Sequence, residues 1–410
     1  MTDWIGWVLQ GGVLLSATIV LIGLLLLFLR PDVLVAERVL AFPHTIGQVM
    51  RGIAVLQPQA IIALGLFFLI ATPVARVATS LVAFALERDR KYIVITLLVL
   101  VFLLYSIFFL GDVHTASTSV ASGQHLTIQF SLAMVLLVFV GSLAAGVLGS
   151  LVGLGGGVLV VPMLTILFHL PITFAIGASI ISVIATSSGA AAAYVRDHLT
   201  NMRVGMFLEL ATTTGAMSGA FLAGLLAPGV LGVIFGIVLL ISSAPLVFKL
   251  GEELPQGVKN DKLANWLGLA SSYPDHHLGR QVSYQATRTP FGLVMMYVAG
   301  LISGLLGIGS GTFKVLAMDT LMRLPLKVST ATSNFMIGVT AAASAGIYFS
   351  RGDIPPFIAA PVALGVLLGA LIGTRLLPHL SNRLLRFIFL PVLVVTAIEM
   401  ILHGLGIGIG

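Results

Sequence analysis

Long apolar runs alternate with short polar breaks along the whole chain. Residues 4–29, 60–86 and 92–111 are each apolar for about the 20 residues a helix needs to cross a bilayer. A connector over 30–58, carrying Arg30, Arg38 and Arg51, separates the first two. The charged turn Glu87-Arg88-Asp89-Arg90-Lys91 separates the second and third, and Pro73 predicts a kink in the second. From residue 130 the pattern changes. A long apolar stretch is split by Gly153-Leu154-Gly155-Gly156-Gly157, and three ordinary spans follow to about 250. A polar stretch covers 249–290. The same sequence of runs then recurs over 290–405, split this time by Gly307-Ile308-Gly309-Ser310-Gly311.

The recurrence is a duplication. Adding 154 carries Gly153, Gly155 and Gly157 onto Gly307, Gly309 and Gly311. The same offset pairs Ala145-Gly146 with Ala299-Gly300, Leu170-Pro171 with Leu324-Pro325, Ser179 with Ser333, and Thr186 with Thr340. It also pairs Tyr194 with Tyr348, Gly215-Ala216 with Gly369-Ala370, and Gly219 with Gly373, with no insertion. An internal repeat of this size in an apolar chain is the mark of a transporter scaffold.

Charge placement decides between two topologies. If each opening segment crosses once, the copies are parallel, and Arg196, Arg203 and the 249–288 loop fall on the side opposite Arg88–Lys91. If each goes in and returns as two pieces, the copies are inverted and all these groups fall together with Arg323, Lys327 and 375–386. The positive-inside rule favours the inverted arrangement, although it leaves three Arg of the 30–58 connector outside. The expected fold is therefore an all-α polytopic membrane protein. It has an internally duplicated core of inverted repeats, broken or re-entrant at the glycine loops, and three extra N-terminal transmembrane helices. The expected division is 1–127 accessory, 128–250 first repeat, 251–289 cytoplasmic loop and 290–410 second repeat.

Composition agrees. The chain is 58% hydrophobic and only 9% charged, against about 25% charged for a soluble domain. It has no Cys, so disulfides and thiolate chemistry are excluded. The net charge of +6 fits basic loops on a membrane protein better than nucleic-acid binding. Residues 4–29 lack a basic n-region and a small-residue cleavage site, and read as an anchor rather than a signal peptide.

Glycine inside a helix costs roughly 1 kcal/mol relative to alanine, so clusters of it read as deliberate breaks. Bare amides at broken helix ends attract anions; close helix packing is the plainer reading. Gly153, Gly155, Gly156, Gly157, Gly307, Gly309, Ser310 and Gly311 are the backbone candidates. Neither loop has the Gly-Lys-Ser/Thr of a nucleotide site. Lys314 is the sharpest single residue: a charge in an apolar segment is expensive and usually functional or paired, and its counterpart is Val160. Pairing with Asp319 is its structural alternative. Asp319 is a candidate coupling residue, with a boundary ion pair to Arg323 the plainer reading. Ser333 and Asn334, with Thr186 and Ser187 in the first copy, are candidate hydrogen-bond donors to an oxyanion; helix-to-helix bonding is the alternative. Arg76 could bind an anion, with snorkelling or a bundle-internal hydrogen bond the plainer reading, and Glu209 reads as half of an interfacial pair with Arg203. His276-His277 lacks metal-ligand spacing. No catalytic constellation, metal site or cofactor is expected.

Gly153–Gly157 with Val161-Pro162, Gly307–Gly311 with Lys314, and the run Leu324-Pro325-Leu326-Lys327-Val328-Ser329-Thr330-Ala331-Thr332-Ser333-Asn334-Phe335 resemble the TauE/SafE sulfite exporter family, over about 130–405. Ser310 for a Gly, and Leu316 where a Pro often stands, depart from that pattern. The resemblance implies a membrane permease exporting sulfite or organosulfonates, in a bacterial or archaeal plasma membrane. Leu64-Gly65-Leu66 through Thr72-Pro73-Val74-Ala75-Arg76-Val77, with Glu87-Arg88-Asp89, resembles an uncharacterised three-helix membrane domain found with such permeases, which implies an accessory role. The expected partners are a small anionic substrate and the lipid bilayer, not nucleic acid; a homodimer is one assembly open to the chain. An anion channel and a membrane signalling or scaffold subunit are the competing functions.

Overall fold

A computed structural model describes residues 2–29, 43, 46–108, 132–152, 156–196, 199–248, 257–275, 280–376 and 382–407. Helices dominate because a bilayer leaves backbone polar groups no partner but one another. The N-terminal unit holds α1 (Thr2–Leu29), α2 (Ile46–Ala54), α3 (Pro58–Leu86) and α4 (Arg90–Phe108). The first repeat holds α5 (Leu132–Val152), α6 (Gly157–Pro162), α7 (Ile172–Arg196), α8 (Met202–Ala223) and α9 (Pro228–Phe248). The second holds α11 (Thr289–Leu306), α12 (Gly311–Leu316), α13 (Leu326–Ser350), α14 (Pro356–Leu376) and α15 (Asn382–Gly404). Among the described residues, six helices are long and apolar enough to cross a membrane, and four shorter apolar stretches join them.

Two stretches exceed the sequence expectation. Within the 30–58 connector lies α2, with Val49 buried and Met50 and Arg51 exposed. The polar stretch between the repeats is not plain loop. It contains α10 (Lys262–Leu267), capped by the Asp261 carboxylate at its N-terminus and by left-handed Gly268 at its C-terminus. A two-stranded antiparallel hairpin follows, β1 (Ser271–Asp275) and β2 (Arg280–Tyr284).

The repeats are inverted. Helices related by the 154-residue offset run antiparallel. Along α7 and α13, Gly177 lies against Asp353 and Gly338 against Ser187; along α9 and α15, Gly229 lies against Gly404 and Gly236 against Ala397. The repeats also interlock. α14 of the second packs along α5 of the first, and α8 of the first along α11 of the second. Small residues make both contacts possible. A Cβ on Gly300 would stand 2.2 Å from the Thr212 carbonyl oxygen, and one on Gly146 would stand 2.5 Å from that of Val366. Thr212 and Val366 are themselves 154 apart, so the packing repeats with the sequence.

Lys91, Arg203 and Arg323 gather at one end, as the inverted arrangement requires. Arg203 pairs with Asp89 at 3.2 Å and lies over the Tyr92 ring. Lys91 lies over Trp266 of α10, and the Tyr92 hydroxyl donates to the Leu267 carbonyl at 3.0 Å. Asn201 donates to the Leu269 carbonyl at 3.1 Å and to the Tyr284 hydroxyl at 2.9 Å. Arg323 borders the same groove as the hairpin.

Candidate functional site

The two breaks meet. A Cβ on Gly157 would lie 3.2 Å from the Gly307 carbonyl oxygen, and the Ser179 hydroxyl sits 3.0 Å from the Gly157 carbonyl and 2.8 Å from that of Gly307. Ser333, the counterpart of Ser179, donates to the Gly311 carbonyl at 3.2 Å. Among the described residues, the side-chain hydrogen bonds at the junction thus run from hydroxyls to loop carbonyls. Gly307 and Gly309 both adopt φ +69°, a left-handed conformation glycine takes at no steric cost. Ser310 adopts φ +45° without that freedom, and its hydroxyl is tied to the Ala299 carbonyl. Gly156 packs on Val366 of α14. Gly153 and Gly155 lie outside the described residues.

Beyond each break a short helical piece returns toward the side it came from. α6 continues as a π-helical turn, Met163–Leu167, and α12 as another, Ala317–Leu321. These turns are also 154 residues apart, so the duplication extends to a rare backbone form that tends to occur at functional sites. The first has Pro162 before it and the second Leu316, so proline does not cause the turn. Each piece is about 16 Å long at 1.5 Å per residue, half a bilayer core. The breaks therefore lie deep in the membrane.

Lys314 is one turn into α12 and buries its side chain completely. Its Nζ donates to the Thr340 hydroxyl at 2.6 Å, halfway along α13. Thr340 Oγ1 in turn lies 2.8 Å from Glu209 Oε1 and 3.0 Å from the Met336 carbonyl. The Thr213 hydroxyl reaches Glu209 Oε1 at 3.4 Å. Glu209 Oε2 is buried with no hydrogen-bond partner. A second cation approaches from α3: Arg76 donates through Nη1 to the Phe335 carbonyl and through Nη2 to Ser188 Oγ at 3.4 Å. Lys314, Glu209 and Arg76 are each 0% exposed, and both cations act electrostatically on Glu209. Two positive charges and one negative charge are therefore enclosed in low dielectric, where each is expensive unless it has a partner.

This corrects the reading of Glu209. It is not half of an interfacial pair with Arg203, whose carboxylate partner is Asp89. Six residues along a helix is 600° of rotation, so Arg203 and Glu209 point to different faces. Arg76 does make the bundle-internal hydrogen bond expected as one option. Other expected residues lie nearby but bond locally. Asn334 donates to the Thr330 carbonyl at 3.0 Å, Thr186 to the Ser182 carbonyl at 3.0 Å, and Ser187 to the Ile184 carbonyl at 3.2 Å. Ser187 also faces the gap at Gly338, next to Arg76. Asp319 is buried in the π-helical turn. Among the described residues no group of three His, Asp or Glu is placed to hold a metal; His276 and His277 lie outside them.

The sequence signal that could have found Glu209 is the one that found Lys314: a charge inside a span, with an apolar counterpart. Glu209 maps to Ala363 as Lys314 maps to Val160.

Two stretches of the chain are similar to known families. Residues 137–400 match the family described as Sulfite exporter TauE/SafE, and residues 5–108 match a protein of unknown function, DUF1634. Probable membrane transporter protein YunE of Bacillus subtilis is 28% identical over 281 residues, 67% of this chain and 99% of that protein. Probable membrane transporter protein MJ0441 of Methanocaldococcus jannaschii is 25% identical, covering 68% of this chain and 98% of its own. No solved structure matches.

Proposed function

The chain belongs to the sulfite exporter TauE/SafE family, and on that premise we propose a secondary transporter that moves small sulfur-containing anions, such as sulfite or organosulfonates, outward across the membrane. The observation that carries this reading is Lys314. It is a fully buried cation on the broken segment of the second repeat, hydrogen-bonded to Thr340 of the same repeat, which in turn bonds Glu209 of the first. A cation at membrane depth marks a substrate pathway, and inverted-repeat carriers bind substrate where the repeats meet. The glycine loops, with Ser333 and Asn334 of α13 and Thr186 and Ser187 of α7, surround the route to it. By the positive-inside rule the end bearing Arg203, Lys259 and Arg323 faces the cytoplasm.

The mechanism is alternating access. The central pair α7 and α13 packs against the two loops through Ser179 and Ser333, and rocking of one repeat against the other would open Lys314 to each side in turn. The test is flux of sulfite and sulfoacetate in proteoliposomes holding the purified protein. Saturable, gradient-coupled flux that is lost in Lys314→Ala is the expected result. Unchanged flux in Lys314→Ala rejects the role given to that residue, and ohmic conductance would replace the carrier with a channel.

A further inference from the structure

The N-terminal unit reaches into the core with a charge. Arg76 follows Pro73 in α3 and enters between α7 and α13 at Gly338. A Cβ there would stand 2.6 Å from Ser187 Oγ and 3.5 Å from Arg76 Nη2. The guanidinium carbon lies 5.2 Å from the centre of the Phe335 ring, and Nε is buried with no hydrogen-bond partner. Tying the unit to the core does not require a charge. Ser106 of α4 ties it there with a neutral hydroxyl on the Ala343 carbonyl. The charge of Arg76 therefore calls for its own explanation.

Counting the charges of the Lys314, Glu209 and Arg76 cluster, the three that are 0% exposed, supplies one. Lys314 and Glu209, bridged by Thr340, sum to zero and leave nothing to attract an anion. Arg76 raises the total to one positive charge. The open donor valence agrees: Arg76 Nε is buried with no hydrogen-bond partner, ready to donate to an oxyanion. We propose that Arg76 supplies the net positive charge of the substrate site, so that the N-terminal unit is a working part of the carrier and the site takes a small singly charged oxyanion. This rests on the transport reading above. Arg76 would bind substrate with Lys314, while Glu209 sets the charge count by balancing the positive charge of Lys314.

The experiment varies the count. Flux of methanesulfonate, with one charge, and sulfoacetate, with two, is measured in proteoliposomes of the full chain. Arg76→Gln, at net zero, should lose at least about tenfold of the methanesulfonate flux. Glu209→Gln, at net two, should shift the ratio toward sulfoacetate. Arg76→Gln with Glu209→Gln returns the count to one and should restore methanesulfonate flux to within a few-fold of the parent. A merely structural Arg76 predicts no such rescue, and its absence overturns the proposal. If Arg76→Gln does not fold, Glu209→Gln alone decides: an unchanged ratio overturns it. If the parent protein carries neither anion nor sulfite, the transport reading falls and this inference with it. If the parent transports and Arg76→Gln is unimpaired, only this inference falls.

Discussion

The two halves of the core have the same skeleton and opposite interiors. Lys314, Thr340 and Glu209 form a buried polar chain in one half. Their counterparts at the 154-residue offset are Val160, Thr186 and Ala363. Val160 is fully buried among apolar neighbours, Thr186 bonds only within its own helix, and Ala363 packs beside α1 and α3 of the N-terminal unit. The helices, breaks, π-helical turns and glycine contacts obey the symmetry, whereas the charges do not. A symmetric scaffold offers two equivalent inward- and outward-facing states. One asymmetric cluster then suffices to make a single binding site, and duplicating it would double the cost of buried charge.

The largest effect should come from making the polar half like the apolar one. Lys314→Val alone leaves Glu209 without its nearest cation and should destabilise the protein by roughly 3–5 kcal/mol, the usual penalty for breaking a buried pair. Adding Glu209→Ala should recover most of that stability and none of the transport. Thermal unfolding of the detergent-solubilised variants, paired with sulfite flux, separates the two outcomes. Equal stability of the single and double variants would show that Glu209 is balanced by Arg76 alone.

The converse change is somewhat smaller. Val160→Lys places a charge where no carboxylate waits and should cost about 2.5–3.5 kcal/mol, the insertion penalty at the centre of a membrane helix. Adding Ala363→Glu should offset part of it if the two halves share geometry. Failure of the second substitution to help would break the equivalence of the halves at side-chain level. Unfolding midpoints of the two variants decide it.

The packing seams test the skeleton by itself. Gly300→Ala and Gly146→Ala each push a methyl against a carbonyl oxygen of the other repeat, at 2.2 and 2.5 Å before relaxation. Each should cost about 1–3 kcal/mol, as overpacking generally does. The two losses should be similar, because the seams are copies. A large inequality would mean that one seam already carries strain or gives way more easily.

What was legible in the sequence follows from the range of each interaction. The duplication could be read because a fixed offset preserves glycine, proline and serine spacing along the chain. The inverted orientation could be read because the positive charges of 87–91, 203 and 323 lie at or just beyond the ends of spans, where sidedness governs them. Lys314 stood out because it is a charge inside an apolar segment whose counterpart in the first copy is Val160. Its connection to Glu209 could not be read, because the partners come from different repeats and Thr340, which joins them, is 131 residues from Glu209. Arg76 was harder still. Its partners Phe335 and Ser188 lie 259 and 112 residues away, so only the fold brings it to the cluster. Proximity in sequence, which favoured Arg203 as the mate of Glu209, misled because helical rotation separates the two.

The smallest expected effect bears most directly on how the halves communicate. Ser179 and Ser333 occupy equivalent positions, yet Ser333 contacts only the Gly311 carbonyl of its own repeat, whereas Ser179 lies between the Gly157 carbonyl of its own repeat and the Gly307 carbonyl of the other. A hydroxyl has one proton, so Ser179 donates to one loop at a time and can pass between them as the repeats move. Ser333→Ala should cost about 1 kcal/mol, the net worth of one buried hydrogen bond, with little change in transport. Ser179→Ala should cost the same or slightly more in stability. Because it removes the side-chain hydroxyl seen between the two breaks, it should also slow substrate flux while leaving the binding affinity near that of the parent. Flux and thermal-shift affinity measured on both variants provide the check. If the two serines prove interchangeable in flux, the contact between the breaks is packing alone, and the rocking motion must be governed by the helix seams.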